Sequence, residues 1–174
     1  GKKCEIFESG KIWDFVNEAK AAAEKYGIEF GQMHAPGPTY VTTSKEATAN
    51  IQADIRKSIE ICGSLGCPYI VVHPICDPSM RYPVLKRGEE YGLNIEFYTS
   101  LIPLLKKHNV VCCLENMWNQ DWKSKKIYAA CCSDVNETIK YIDDLNAIAG
   151  ERLFGFCLDI GHLLLVGQDP CYWI

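Results

Sequence analysis

Four segments of the chain share one pattern, in which a mostly apolar run ends on a residue that can bind a metal ion. The last residues are His34, His73, Glu115 and Asp159, so the spacings are 39, 42 and 44 residues. One strand, one crossover helix and two loops take about that much chain. Because the carboxyl ends of parallel barrel strands converge on one edge, we expect the four polar side chains to face one another.

Helical periodicity occupies the stretches between these segments. Apolar residues recur at steps of three and four from Lys11 to Tyr26, and Gly27 follows as a stop signal. Three further helices are predicted at Ser44 to Leu65, within Leu93 to His108, and from Ser133 or Asp134 to Gly150. Strands and helices therefore alternate along the whole chain, which indicates an α/β fold.

A short strand predicted at Cys4–Glu8 brings the number of strands to five. That order fits either an open doubly wound sheet or a barrel. A dinucleotide-binding sheet would carry a glycine-rich turn after its first strand, and this sequence has none. The regular polar strand ends favour a barrel, although closing one takes eight strands. We therefore predict a partial (β/α)8 TIM barrel with outer helices, formed by residues 1–174 as one domain.

Composition restricts the function without assigning one. Of the 174 residues, 48% are apolar, and the net charge of −4 gives no overall attraction for nucleic acid. No apolar run reaches the roughly 18 residues that a membrane helix needs. Ten cysteines in a chain long enough to build a core are typical of reduced, buried thiols. We therefore expect a cytoplasmic protein without a membrane partner.

Four short motifs, in order and at matched spacing, resemble the xylose isomerase-like TIM barrels. The motifs are His34-Ala35-Pro36, Val72-His73-Pro74, Leu114-Glu115-Asn116 and Leu158-Asp159-Ile160-Gly161-His162. That superfamily includes sugar-phosphate isomerases, ketose 3-epimerases, inosose-processing enzymes and apurinic-site nucleases of the endonuclease IV type. The resemblance implies that the chain corresponds to strands two to six, and that it is a fragment whose parent supplies the other strands and their metal ligands.

The resemblance also implies roles for the strand-end residues. Glu115 and Asp159 correspond to carboxylates that hold Mn²⁺, Mg²⁺ or Co²⁺. A carboxylate that ends an apolar strand is costly to bury unless it is paired, protonated or bound to a metal, and the alternative to a ligand is a carboxylate that caps a loop or pairs with a Lys or Arg. Glu115 is also expected to transfer a proton through an enediolate, as a catalytic residue. His162 corresponds to a second catalytic residue, which contacts substrate oxygens in epimerases and binds zinc in the nuclease. His34 and His73 line the substrate pocket in many isomerase-like members and bind zinc in the nuclease.

Aromatic residues follow Glu115 in the next loop. Trp118 and Trp122 are expected on the catalytic face, where they either pack against the apolar face of a sugar or anchor the loop. Lys123, Lys125 and Lys126 come next, and such a run is more typical of a solvated surface than of a phosphate site.

Three functions stay open at this point. The first is a sugar or sugar-phosphate isomerase or epimerase. The second is a zinc-dependent apurinic-site nuclease, although the acidic balance and the lack of a cysteine between Asp159 and His162 argue against it. The third is a non-catalytic remnant or a partner-dependent half-barrel. We expect the fragment alone to be inactive and to aggregate, to self-associate as a homo-oligomer or to be marginally stable, because missing strands would leave two sheet edges and an apolar inner face uncovered.

Overall fold

The structure of the protein is a computed structural model, which describes residues 10–41, 44–76, 87–121 and 123–174. Four of the predicted strands are present, namely β1 Met33–His34, β2 Tyr69–Val72, β3 Val111–Glu115 and β6 Phe154–Cys157. They form one sheet in the order β1-β2-β3-β6, and all three pairings are parallel. The fifth predicted strand, Cys4–Glu8, lies outside the described residues.

Helices connect the parallel strands, as the periodicity predicts. They are α1 Ile12–Tyr26, α2 Lys45–Ser64, α3 Arg87–Thr99, α4 Ile102–His108, α5 Val135–Ala149 and α6 Ile160–Leu165, followed by a 3-10 helix at Pro170–Trp173. Ser44 caps α2, because its hydroxyl accepts the N–H of Ala47 at 3.0 Å. Gly27 ends α1 in the left-handed conformation, with a φ of 65°.

Two local predictions were wrong. The third helix is divided into α3 and α4, since Pro103 at the second position of α4 has no N–H to continue the hydrogen bonds of α3. The loop after Glu115 contains an antiparallel hairpin, formed by β4 Trp118–Gln120 and β5 Ile127–Ala129. Strands of three residues are too short to produce an alternating pattern that stands out in the sequence.

The two faces of the parallel sheet have different environments. Side chains alternate along each strand, and one set packs with the helices into the main core. The strand residues in that core are Ile70, Val72, Cys112, Leu114 and Phe154. The alternate set points to the opposite face, which carries His34, Val71, Cys113 and Glu115. The backbone register alone therefore places the predicted site residues of the strands on one face of the sheet.

The described part of the chain agrees with two further expectations. Each cysteine in it is a free thiol, and most are buried, as small core hydrophobes would be. None of the helices in these residues combines the length and the apolar character that crossing a lipid bilayer requires.

Candidate metal centre

Glu115 is a buried carboxylate at the carboxyl end of β3, and only 5% of its side chain is exposed. The four residues that precede it in the strand are apolar, and three of them are buried. This apolar segment ends at the rim of the sheet, which is the edge where the carboxyl ends of the parallel strands lie. An ionised carboxylate in such a place is stable only where cations or hydrogen-bond donors face it. The neighbouring strand ends supply those groups.

Two histidines approach the same oxygen of Glu115. Nε2 of His34 lies 3.2 Å from Oε2, and Nε2 of His73 lies 3.0 Å from it. The two rings meet edge to face, with their centroids 4.7 Å apart. The register explains this, because His34 is level with Val71 and therefore lies on the same face as His73. The ends of β1 and β2 thus converge on the end of β3.

His162 approaches the other oxygen of Glu115, and Asp159 lies beside His162. Asp159 caps α6, and its Oδ1 accepts the N–H of His162 at 2.8 Å. Nδ1 of His162 lies 3.4 Å from Oε1 of Glu115, and its Nε2 lies 3.7 Å from Oδ2 of Asp159. His162, expected in a loop, lies within a short helix instead, because the Asp159 cap starts α6 directly after the strand.

These contacts shift the pKa values of two rim residues, Glu115 and His34. Burial by itself raises the pKa of the Glu115 carboxyl, but hydrogen bonds from His34 and His73 and the nearby His162 outweigh it, so the net pKa lies well below its usual range. The hydrogen bond to Glu115 in turn raises the pKa of His34. Glu115 is therefore ionised at neutral pH.

The hydrogen bonds of His34 test whether a metal ion fits the rim. Nδ1 of His34 lies 2.7 Å from the carbonyl oxygen of Ala35, which can only accept, so Nδ1 carries a proton. Nε2 then faces Glu115 with either a second proton or a lone pair. A lone pair opposite a carboxylate oxygen requires a cation between the two atoms, and metal binding displaces the second proton. The donor set therefore suits a metal ion.

Two groups of three residues have the spacing of metal ligands among the described residues. They are His34, His73 and Glu115, and Glu115, Asp159 and His162, with ligand atoms within 4.8 Å of one another in each group. Ligand-to-metal distances of about 2.0–2.6 Å allow two ligands of one ion to lie up to about 4–5 Å apart. The first group is rich in nitrogen and the second in oxygen, and Glu115 belongs to both.

Two residues to which the sequence assigns no role also contact this rim. Asn116 is fully buried and exchanges two hydrogen bonds with the backbone of Asp159. Gly37 lies against His73, where an added Cβ would come within 2.9 Å of Nδ1. In the sequence, Asn116 could have been noticed because it directly follows Glu115. Gly37 could have been noticed because it lies between Pro36 and Pro38.

The segment after Glu115 carries the aromatic and basic residues that the sequence singles out. The Trp118 ring lies beside His162, at a centroid distance of 6.2 Å, so it borders the rim. Trp122 lies outside the described residues. Lys123, Lys125 and Lys126 are exposed on the hairpin.

The comparisons with known proteins agree with this architecture. The profile of the xylose isomerase-like TIM barrel family matches residues 7–172. A D-tagatose 3-epimerase-like protein of known structure has 19% identity and a TM-score of 0.63, over 84% of this chain and 51% of that one. A 3-keto-D-glucoside 4-epimerase from E. coli has 16% identity and a TM-score of 0.68, over 92% and 59%. No curated protein sequence matches the chain.

A third similar structure contains a metal ion. It is a xylose isomerase-like TIM barrel protein from Mycobacterium smegmatis in complex with magnesium, with 13% identity and a TM-score of 0.58, over 92% of this chain and 51% of that one. The chain thus spans between 51% and 59% of the length of these three structures. With four parallel strands, polar strand ends on one rim and a family match over residues 7–172, the chain belongs to the xylose isomerase-like TIM barrel family and forms part of a (β/α)8 barrel.

Proposed function

We propose that the protein is a divalent-metal-dependent sugar isomerase or epimerase that acts on a ketose or a closely related polyol ketone. The observation that carries the proposal is Glu115, a buried and ionised carboxylate on which three histidines converge. Enzymes with this fold bind their substrates at the carboxyl ends of the strands. Two of the similar solved structures are described as sugar epimerases or epimerase-like.

Glu115 and Asp159 are the proposed metal ligands. When bound, a divalent ion such as Mn²⁺, Mg²⁺ or Co²⁺ polarises a substrate carbonyl and acidifies the neighbouring C–H. The low pKa of Glu115 supports the ligand role, because the carboxylate stays ionised without help from the ion. The Asp159 carboxylate lies in the same ligand group, and its cap bond to the His162 N–H holds it in place.

Glu115 is also the proposed group that takes and returns the substrate proton. His34 and His73 contact its Oε2, and Oε1 is the oxygen that faces His162. A base with a strongly lowered pKa is a weak one, since catalytic bases work best with a pKa near the operating pH. The lowered pKa therefore supports the ligand role of Glu115 more strongly than the proton-transfer role.

The remaining site residues are proposed to bind the substrate. His162 contacts a substrate oxygen from its position between Glu115 and Asp159. His34 and His73 border the pocket on the opposite side of Glu115. Trp118 offers an apolar ring beside His162, on which the apolar face of a sugar can pack.

One observation favours a second function, a zinc-dependent apurinic-site nuclease. The group formed by His34, His73 and Glu115 has two imidazoles and one carboxylate, a ligand set typical of catalytic zinc. The net charge of −4 is unfavourable for binding DNA, which is why the sugar reaction is preferred.

The test is an assay of the protein as its gene encodes it, with Mn²⁺ and a panel of ketoses and ketose phosphates in deuterated water. We expect deuterium to enter the substrate, and Glu115→Gln to lower the rate at least about 100-fold, as loss of a proton-transfer group does. Glu151→Gln is the matched control, because Glu151 is half-exposed and pairs with Lys106 away from the rim. Its rate should equal that of the unmodified protein.

Other outcomes would reject the proposal. Metal-dependent cleavage of abasic DNA without deuterium incorporation would assign the nuclease function. Neither reaction in the encoded protein would indicate a non-catalytic remnant. The 174-residue chain assayed by itself is expected to be inactive, because it spans only about half the length of the epimerase-like protein that it resembles.

A further inference from the structure

We infer that Asn116 is a positioning residue for the rim: its side chain holds the backbone of Asp159, and its carbonyl sets the tautomer of His162. The inference rests on the proposed function only for the nature of what the rim binds. The arrangement of the three residues is independent of which reaction takes place.

The side chain of Asn116 extends the sheet beyond its last backbone pair. The ladder between β3 and β6 ends where Glu115 pairs with Cys157. Beyond that pair, Nδ2 of Asn116 donates to the carbonyl of Asp159 at 2.9 Å, and the N–H of Asp159 donates to Oδ1 at 2.7 Å. A side-chain amide offers one donor and one acceptor side by side, so it satisfies both backbone groups of Asp159 at once.

The carbonyl of Asn116 determines which nitrogen of His162 carries the proton. Nδ1 of His162 lies 2.8 Å from this carbonyl oxygen and 3.4 Å from Oε1 of Glu115. A carbonyl oxygen can only accept, so Nδ1 is the protonated nitrogen of the neutral ring. Nε2 is then left with a lone pair, directed to the side of Asp159. A lone pair is what a metal ion or a substrate hydroxyl requires from this histidine.

The two effects act together through α6. Holding the backbone of Asp159 fixes the residue whose side chain caps α6, and the cap bond goes to the N–H of His162. His162 is therefore positioned through its backbone from Asp159 and through its ring from Asn116. Loss of the Asn116 amide would release the backbone of Asp159. It would thereby also move the His162 ring relative to the Asn116 carbonyl.

A purely structural role would also destabilise the protein on mutation, so a matched control is needed. Asn146 provides one, because it makes the same kind of amide clamp at the opposite end of β6. Its Nδ2 donates to the carbonyl of Phe154 at 3.0 Å, and its Oδ1 accepts the N–H groups of Leu153 and Phe154, both at 2.8 Å. Asn146→Ala removes three such backbone hydrogen bonds, whereas Asn116→Ala removes two, so the control variant loses no fewer contacts and leaves the rim untouched.

The experiment reads the His162 ring in the encoded protein, freed of metal by a chelator and labelled with ¹⁵N-histidine. Two-bond ¹H–¹⁵N correlation spectra at about pH 8.5, above the ordinary histidine pKa of about 6.5, distinguish the two neutral tautomers. His162→Gln assigns the signal. We expect the Nδ1–H form in the unmodified protein and in Asn146→Ala, and a mixture of both tautomers in Asn116→Ala. Mn²⁺ affinity should fall about 10- to 100-fold in Asn116→Ala only.

Two outcomes would overturn the inference. An Nε2–H ring in the unmodified protein would do so without any variant, and it remains decisive even where Asn116→Ala fails to fold. An unchanged tautomer and unchanged Mn²⁺ affinity in a folded Asn116→Ala would do so as well. Because the ring is read without metal or substrate, failure of the deuterium assay rejects the proposed reaction and leaves this result standing.

Discussion

Glutamate and aspartate occur at the rim of the sheet and elsewhere in the chain, with different surroundings. Glu115 is buried with three histidines around it, whereas Glu151 is half-exposed and pairs with Lys106. Asp159 caps α6 beside Glu115. Asp134 caps α5 with an equivalent bond, to the N–H of Glu137 at 2.9 Å, and belongs to neither ligand group.

The asparagine pair extends this comparison. Asn116 and Asn146 clamp the backbone at opposite ends of β6, with hydrogen bonds of nearly equal length. Only Asn116 also contacts a histidine of the rim. Neither the residue type nor its bond to the backbone therefore distinguishes the site. What marks it is the position at the carboxyl end of parallel strands, where lone pairs of several side chains face one another.

The largest effect is expected for Asp159→Asn against Asp134→Asn. Asparagine caps helices as well as aspartate does, so both variants should keep their helices. The neutral amide is a poorer ligand, so the Mn²⁺ affinity of Asp159→Asn should fall more than about 100-fold. This loss is larger than the roughly 10- to 100-fold loss expected when a residue that only supports a metal ligand is replaced. Asp134→Asn should bind Mn²⁺ as the unmodified protein does. Isothermal titration calorimetry on chelator-treated protein measures both. Equal affinities in the two variants would remove the distinction between the two aspartates.

The sequence predicts the parallel strands and the convergence of their polar ends, because both depend on local periodicity and on a rule for parallel strands. The contacts of Asn116 lie beyond such reasoning, since they depend on the register of two strands whose contacting residues are 43 positions apart. The close approach of Gly37 to His73 likewise depends on how two loops pack. The role of each residue at the rim remains a prediction for the experiments described.

A smaller effect is expected for Gly37→Ala against Gly31→Ala. A Cβ at Gly37 would lie 2.9 Å from Nδ1 of His73, so the ring must move away from its position facing Glu115. A Cβ at Gly31 meets no atom within 4 Å. Affinity for Co²⁺, followed by its visible absorption, should fall about tenfold in Gly37→Ala and stay unchanged in Gly31→Ala. Retained affinity in both would show that the His73 ring need not stay where it is.

The smallest effect concerns pH, because nearly half of the His34 side chain is exposed and solvent weakens its interaction with Glu115. The pKa of His34 is raised mainly by its hydrogen bond to Glu115, so its contribution to the free energy of unfolding is complete below the ordinary value of 6.5 and is lost as the pH rises through the folded value. The pKa of Glu115 is lowered from 4.5 despite burial, so its contribution is present above 4.5 and is lost as the pH falls through the folded value.

The metal-free rim should therefore stabilise the protein most between about pH 4.5 and 6.5. Urea unfolding from pH 5 to pH 8.5 in the presence of a chelator should reveal a decline above pH 6.5 that is flatter in His34→Gln. Saturating Mn²⁺ should oppose that decline, because ligands must lose their protons before an ion binds, and the stabilisation by metal grows with pH. No such reversal is expected in Asp159→Asn. An identical decline in His34→Gln and in the unmodified protein would mean that the His34–Glu115 contact does not contribute to the free energy of unfolding.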